Sequence, residues 1–194
     1  MSLRSEYSER TPVLKNVADD IENLVREILN GVPRVDRISS RVKSVERFLE
    51  KTEGKGYHQP LQDIQDQIGV RIVVFYRSDI QTVSERVIRE FREVENRPME
   101  QPDPEVFSYE ARHVVCLIPP DIHSRHKPPI DFFELQISTL FQHAWAEANH
   151  DLGYKPHGAL TYEFRKKIAW AAAQTWGADV IFDELWNQSN PQPG

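Results

Sequence analysis

The sequence predicts an α/β (α+β) fold, a small mixed β-sheet flanked by helices, and three observations lead there. Val70 to Tyr76 is a continuous apolar and β-branched run interrupted by Arg71, the pattern of a strand buried on both faces. Residues 132–138 alternate instead, with Phe133, Leu135 and Ile137 pointing one way and Glu134, Gln136 and Ser138 the other. Long stretches of helical spacing surround both strands, and helices alternating with short strands imply one layer packed on another.

Taken in order, Thr11-Pro12 reads as a helix start, a cap residue with proline at the first helical position. Val13, Val17, Ile21, Leu24 and Ile28 follow one turn apart, and Gly31 and Pro33 stop the run. A second helix is predicted over 40–52, broken by Gly54 and Gly56. After the strand to Tyr76, Ser78 to Gln81 reads as a capping box. The helix behind it places Ile80, Val83, Val87, Phe91 and Val94 on one face. Proline-rich loops are expected at 97–106 and 119–129, with a strand near 109–118 between them and Cys116 as a small core residue. A strand at 132–138 and a helix at 139–153 come next. The last helix, from about Thr161 to Trp186, is expected to turn Phe164, Ile168, Ala171, Thr175, Ala178 and Phe182 inward. The resulting order is α-α-β-α-β-β-α-α, with His58, His123, His126 and His157 in loops.

Composition limits the function. With 194 residues, 39% of them hydrophobic and 28% charged, the chain is long enough for one globular domain with a real core. No apolar run reaches the ~20 residues of a membrane span, and the N-terminus has no apolar signal segment. A single cysteine precludes an intramolecular disulfide and suits a reducing cytoplasm. The net charge of −6 argues against binding duplex nucleic acid, which needs a basic face. Yet Arg34, Arg37, Arg41, Lys43, Arg47, Lys51 and Lys55 gather in one short stretch. A basic strip in an acidic protein suits a small phosphorylated ligand, although a solvated helix face would look the same.

Several residues carry candidate chemistry. Asp66 precedes a strand in which Arg71 is the one charge, and a buried arginine needs a partner or a ligand. Glu134 lies on a strand, and the helix behind it sets His143, Glu147 and His150 at i, i+4 and i+7. Glu147 and His150 have the spacing of a di-iron motif. A single copy without two further glutamates does not build that site, and a zinc site on His143 and His150 would lack a cysteine partner apart from the core residue Cys116.

The segment Glu134-Leu135-Gln136-Ile137-Ser138-Thr139, followed by Gln142-His143-Ala144-Trp145-Ala146-Glu147-Ala148-Asn149-His150-Asp151-Leu152-Gly153-Tyr154-Lys155, resembles the signature of RelA/SpoT-type alarmone synthetases. Asp66-Gln67-Ile68-Gly69-Val70-Arg71 is similar to the family's Asp-x-x-Gly-Ile-Arg, and Arg41-Val42-Lys43-Ser44 with Lys51 to its basic motif. The likeness covers about residues 36–186 and implies a nucleotidyltransferase-like synthetase domain over 36–187, after an N-terminal helix (1–35) and before a disordered tail (188–194). It implies transfer of pyrophosphate from ATP to the 3′-hydroxyl of GTP or GDP. Asp66 and Glu134 would hold Mg²⁺, with Glu134 also near the acceptor hydroxyl. Arg41, Lys43, Lys51 and Arg71 would bind ATP. Tyr109, His113, Gln136, Glu147 and Asn149 would contact the acceptor nucleotide. Self-association is also implied.

The sequence departs from the pattern at Arg47, where the family has serine, and at Ser108, Ala111 and Ser138, where it has glycine, serine and arginine. These changes leave open another acceptor, an adenine nucleotide or a tRNA 3′ end, and a nucleotide-binding module with weakened catalysis.

Overall fold

The computed structural model describes residues 2–97, 111–153 and 161–191. In chain order the elements are α1 (Leu3–Ile28), β1 (Val35–Val42), α2 (Val45–Lys55), α3 (Pro60–Asp63), a 3-10 turn (Gln65–Gln67), β2 (Ile68–Val74) and α4 (Arg77–Ile88). Then come β3 (Glu93–Arg97), β4 (Arg112–Leu117), α5 (Pro120–His126), β5 (Phe132–Thr139), α6 (Leu140–Gly153) and α7 (Tyr162–Ser189). The strands form one sheet in the order β1-β2-β5-β4-β3. β2 and β5 run parallel and the other neighbours antiparallel, so the sheet is mixed as expected.

One face of the sheet is the core. Val70, Ile72, Val74, Phe133, Leu135, Ile137, Val114 and Cys116 are buried there against α1, α4 and α5. α1 contributes Tyr7, Leu14, Val17, Ile21 and Val25 to the same core. Burying side chains of this size is worth roughly 1.5–3 kcal/mol each against exposure, which is why this layer dominates the fold's stability. Tyr7 also stacks on Phe48 of α2 and donates its hydroxyl to the Lys43 carbonyl at 2.8 Å. That contact fastens α2 beside the end of β1.

The structure corrects several expectations. The first helix starts at Leu3, capped by Ser2, and carries Pro12 inside it. Pro12 lies on the exposed face, where water can satisfy the carbonyl its missing N–H leaves open. Residues 35–42, expected to be partly loop and partly helix, form an edge strand, and α2 begins only at Val45 behind the Ser44 cap. Lys43 therefore precedes α2, the helix that carries Arg47 and Lys51. Val94 sits exposed on β3, a second edge strand, instead of extending α4. α4 starts at Arg77, with the Asp79 carboxylate accepting from the Tyr76 N–H at 3.2 Å. His123 and His126 belong to α5, not to a loop. On α7 the buried residues are Ala172 and Asp179, while Phe182 is half exposed.

Among the described residues no helix is long and apolar enough to cross a membrane.

Candidate functional site

The sheet face opposite the core carries the polar chemistry, and register decides which side chains meet. Arg41 of β1 pairs with Gly69 of β2, which pairs with Glu134 of β5. The adjacent row runs Ser39, Arg71, Gln136, His113. Gly69 lacks a side chain, so Arg41 folds over it. Its Nε and Cγ stand 3.6 and 3.7 Å from where a β-carbon on Gly69 would be. Burial and then the Arg71 charge make the Arg41 guanidinium easier to deprotonate than an exposed one, and Glu134, Glu147 and Asp66 oppose that. It nonetheless stays charged.

Asp66 is set by the 3-10 turn that leads into β2. Its Oδ2 receives the ammonium groups of Lys51 at 2.8 Å and Lys43 at 3.0 Å. Its Oδ1 is buried without a hydrogen-bond partner. Burial pushes this carboxyl up, but the Lys51 hydrogen bond and the adjacent Lys43 more than offset it, leaving Asp66 below the ordinary carboxylate range. Glu134 shows the same balance. Burial raises it, and His113, whose Nδ1 is 2.9 Å from Oε1, together with the Gln136 amide, 2.6 Å from Oε2, brings it below its usual value.

Asp66 and Glu134 line a common recess with Lys51, Tyr57 and His113. Asp66 also borders a larger cleft of about 470 Å³, walled by Arg41, Lys43, Ser44, Arg47 and His150. The two ionised carboxylates thus share one recess, and Asp66 links it to the cationic cleft. An unsatisfied carboxylate oxygen there fits a small hard cation, whereas the lysines and arginines fit phosphate oxygens.

Arg71 crosses from β2 to α6. Its Nη1 donates to Glu147 Oε1 and lies 3.3 Å from His143 Nδ1. Burial and then Arg71's charge hold His143 below the ordinary histidine range, so its neutral ring accepts this bond. The polar stripe expected on α6 therefore does face the sheet. Asn149 is half-buried two residues past Glu147, and that spacing turns it to another side of the helix. Among the described residues, no group of three or more His, Cys, Asp or Glu side chains is placed to hold a metal ion.

Of the expected site residues, Asp66, Glu134, Arg41, Lys43, Lys51, Arg71, His113, Gln136 and Glu147 come together around this face. Tyr109 and Ser108 lie outside the described residues. Sequence reasoning missed Tyr57, which no periodicity marks, and the convergence of Lys43 and Lys51 on Asp66, which depends on how α2 packs.

A mixed sheet with paired carboxylates beside a cationic cleft defines a site for polyphosphate chemistry. The profile of a family described as a region found in RelA/SpoT proteins matches residues 40–159. The chain is 32% identical over 156 residues to GTP pyrophosphokinase YjbM of Bacillus subtilis (strain 168), covering 78% of this chain and 72% of that protein. The fold superposes on small alarmone synthetase 1 from B. subtilis with a TM-score of 0.80 at 23% identity, covering 96% of this chain and 99% of the other. The same synthetase bound to its product pppGpp gives 0.79 at 22% identity, covering 95% and 98%. The chain belongs to the RelA/SpoT family.

Proposed function

We propose that this protein is an ATP-dependent pyrophosphokinase that makes (p)ppGpp by transferring pyrophosphate from ATP to the 3′-hydroxyl of GTP or GDP. The observation that carries this reading is the recess that Asp66 and Glu134 share, with Lys43 and Lys51 both on Asp66, in a chain 32% identical to a GTP pyrophosphokinase.

In this reading the acceptor oxygen attacks the β-phosphorus of ATP. An oxygen–phosphorus bond forms, the bond from the β-phosphorus to the α–β bridging oxygen breaks, and AMP leaves with that oxygen. Glu134 takes the hydroxyl proton, and its depressed pKa keeps it ionised and ready at neutral pH. Arg41 and Arg71 present flat guanidinium groups that stack on the adenine, and Lys43 and Lys51 bind phosphate oxygens. Mg²⁺ is the natural metal. Asp66, through its unpartnered Oδ1, and Glu134 would hold it, and it would neutralise charge on the phosphate oxygens. Gln136, His113 and Glu147 border the acceptor side.

One observation favours a second acceptor. Ser138, where the family pattern has arginine, is a small buried side chain on β5, so that position brings no cation to the acceptor side. The test is transfer of label from β-³²P ATP to GDP, GTP, ATP and bulk tRNA in parallel, with Mg²⁺ present and then chelated. Label in GDP or GTP, lost on chelation, is the expected result. Label only in tRNA or an adenine nucleotide would overturn the guanosine reading, and binding without any transfer would reduce the protein to a nucleotide-binding module.

Self-association belongs to the same reading. α7 presents Trp170, Ile181, Phe182 and Leu185 to solvent, an apolar face that a second copy of the chain would cover. Light scattering after size exclusion tests it, and a monomer at tens of micromolar would refute it.

A further inference from the structure

Gln67 follows Asp66 in the chain, and its side chain is fully buried. Its Nε2 donates to two backbone carbonyls, Ile64 at 2.9 Å and Leu61 at 3.0 Å. Leu61 belongs to α3 and Ile64 follows it, so the amide ties α3 to the 3-10 turn and closes a loop with Asp66 on it. The Gln67 backbone carbonyl accepts the Lys43 N–H at 2.9 Å. One residue thus bonds to the segment that carries Asp66 and to the segment that carries Lys43, whose side chains pair at 3.0 Å.

α1 grips the same two segments. Tyr7 donates its hydroxyl to the Lys43 carbonyl, and Arg10, one turn on, donates to the Leu61 carbonyl at 3.3 Å. Burial and then the Asp66 charge push the Tyr7 hydroxyl above its ordinary value, so it keeps its proton and keeps donating. Tyr7 and Arg10 both precede the stretch 40–159 that the family profile matches. Gln67 is kept against a local cost. Among the described residues its buried Oε1 has no hydrogen-bond partner, and methionine would fill similar space without that penalty. The two donors are what glutamine supplies here.

We infer that Gln67 and Tyr7 are positioning residues, which fix Asp66 against Lys43 through a cradle of hydrogen bonds to the backbone on either side. They act through that backbone and not on substrate. Rates are steep in the placement of reacting groups, with about a hundredfold lost for 1 Å, so removing slack here governs turnover more than nucleotide binding. The cradle also makes the N-terminal helix part of the catalytic unit.

The effect on turnover rests on the pyrophosphokinase reading, so one arm of the experiment is independent of it. Amide hydrogen exchange at Lys43 is followed in the full chain, free of metal and nucleotide, for the parent, Gln67→Met and Tyr7→Phe. Ile21→Val is the control, because it loosens the packing of α1 without touching the cradle. Exchange should run about tenfold faster in both cradle variants, the scale of one hydrogen bond, and within twofold of the parent in the control. In steady-state assays kcat should fall about tenfold in Gln67→Met, with KM for ATP changing less than threefold, while Ile21→Val keeps kcat within twofold. Placed on Asp66→Asn, Gln67→Met should cost less than a further twofold, because its effect passes through Asp66.

Unchanged exchange in either cradle variant overturns the inference. Faster exchange with parental kcat overturns it too, as does an equal loss of kcat in Ile21→Val or a full multiplication of losses on Asp66→Asn. If the unaltered protein transfers no pyrophosphate, the proposed function fails, and exchange at Lys43 alone decides the cradle. Tyr7→Phe keeps the ring that stacks on Phe48 and is expected to melt within about 4 °C of the parent, so it carries the test even where Gln67→Met does not fold.

Discussion

Arg41 lies across Gly69, with its Nε 3.6 Å from the point where a β-carbon would stand. Alanine at position 69 would make ordinary van der Waals contact, and it removes the entropic penalty of glycine inside a strand. Gly69→Ala is therefore expected to fold at least as stably as the parent, with a gain of up to ~1 kcal/mol. Gly69→Val places a branched side chain where Arg41 rests and displaces it. Its KM for ATP should rise about tenfold while kcat changes less, in steady-state assays of both variants. Equal KM values for valine and alanine would mean that Arg41 does not bind the donor from this position.

Asp66 receives both Lys43 and Lys51 on a single oxygen. Asp66→Asn keeps the shape but loses the charge, so the two ammonium groups remain available for phosphate while the metal loses a ligand. Turnover should fall by roughly 10²–10³, the scale seen when one preorganised electrostatic group is removed. Affinity for a non-hydrolysable ATP analogue measured without metal should be equal or higher. A variant that keeps more than a tenth of parental turnover would remove Asp66 from the reaction.

Asp66 and Glu134 both sit below their ordinary carboxyl values of 3.8 and 4.5. The folded state thus holds them ionised more firmly than the unfolded chain does. Their contribution to stability is complete above the unfolded values and is lost as pH falls through the lower folded values. Urea midpoints are expected to stay nearly level from pH 8 to about 5 as far as these two groups are concerned, then to drop on further acidification. Asp66→Asn should show a shallower acid slope than the parent. Identical slopes would show that Asp66 ionisation is not linked to folding.

The contrast between central and edge strands explains what was legible in the sequence. β2 and β5 lie in the middle of the sheet, so Ile72, Val73 and Val74 form an apolar run and Phe133, Leu135 and Ile137 alternate. Both strands that sequence reasoning missed, β1 and β3, are edges. In β1, Ile38 is the one fully buried side chain among Asp36, Arg37, Ser39, Ser40 and Arg41, and a polar run of that kind carries no period of two. Its strand character comes from pairing with β2, a contact distant in sequence. On α7 Phe164, Ile168, Thr175 and Ala178 are half-buried while Ala171 and Phe182 are exposed, so periodicity found only part of the inner face, and it missed the buried Ala172 and Asp179. The carboxylates Asp66 and Glu134 were legible from motif residues. That Arg41 covers Gly69, or that Lys43 and Lys51 share Asp66, was not, because register and helix packing create those contacts.

Arg71 is held by Glu147 and His143. More than half of the Glu147 side chain is exposed, so solvent screens the pair and its contribution to stability is under ~1 kcal/mol. Glu147→Gln should leave the melting temperature within about 2 °C of the parent. If Arg71 must leave this carboxylate to stack on adenine, the variant should also bind an ATP analogue roughly threefold more tightly. A large loss of stability together with weaker binding would make the ion pair a structural fastening.

Thr139 stands where β5 becomes α6, and its hydroxyl serves two partners. It donates to Asp179 Oδ2 of α7 at 3.1 Å and accepts from the Gln142 N–H at 3.1 Å, while the Gln142 side chain accepts from the Thr139 N–H at 2.8 Å. This reciprocal cap starts α6 and ties it to α7, and all three side chains are buried. Thr139→Val keeps the volume but strips the hydroxyl, leaving a buried carboxylate and an N–H each short of a bond. Removing one partner of a buried charged hydrogen bond and a cap together costs about 2–3 kcal/mol. For a domain of this size that is roughly 4–12 °C of melting temperature. Because α6 carries His143 and Glu147, acceptor KM should rise in the variant well below its melting point, whereas a loosening confined to α7 would leave KM unchanged and lower only the melting temperature.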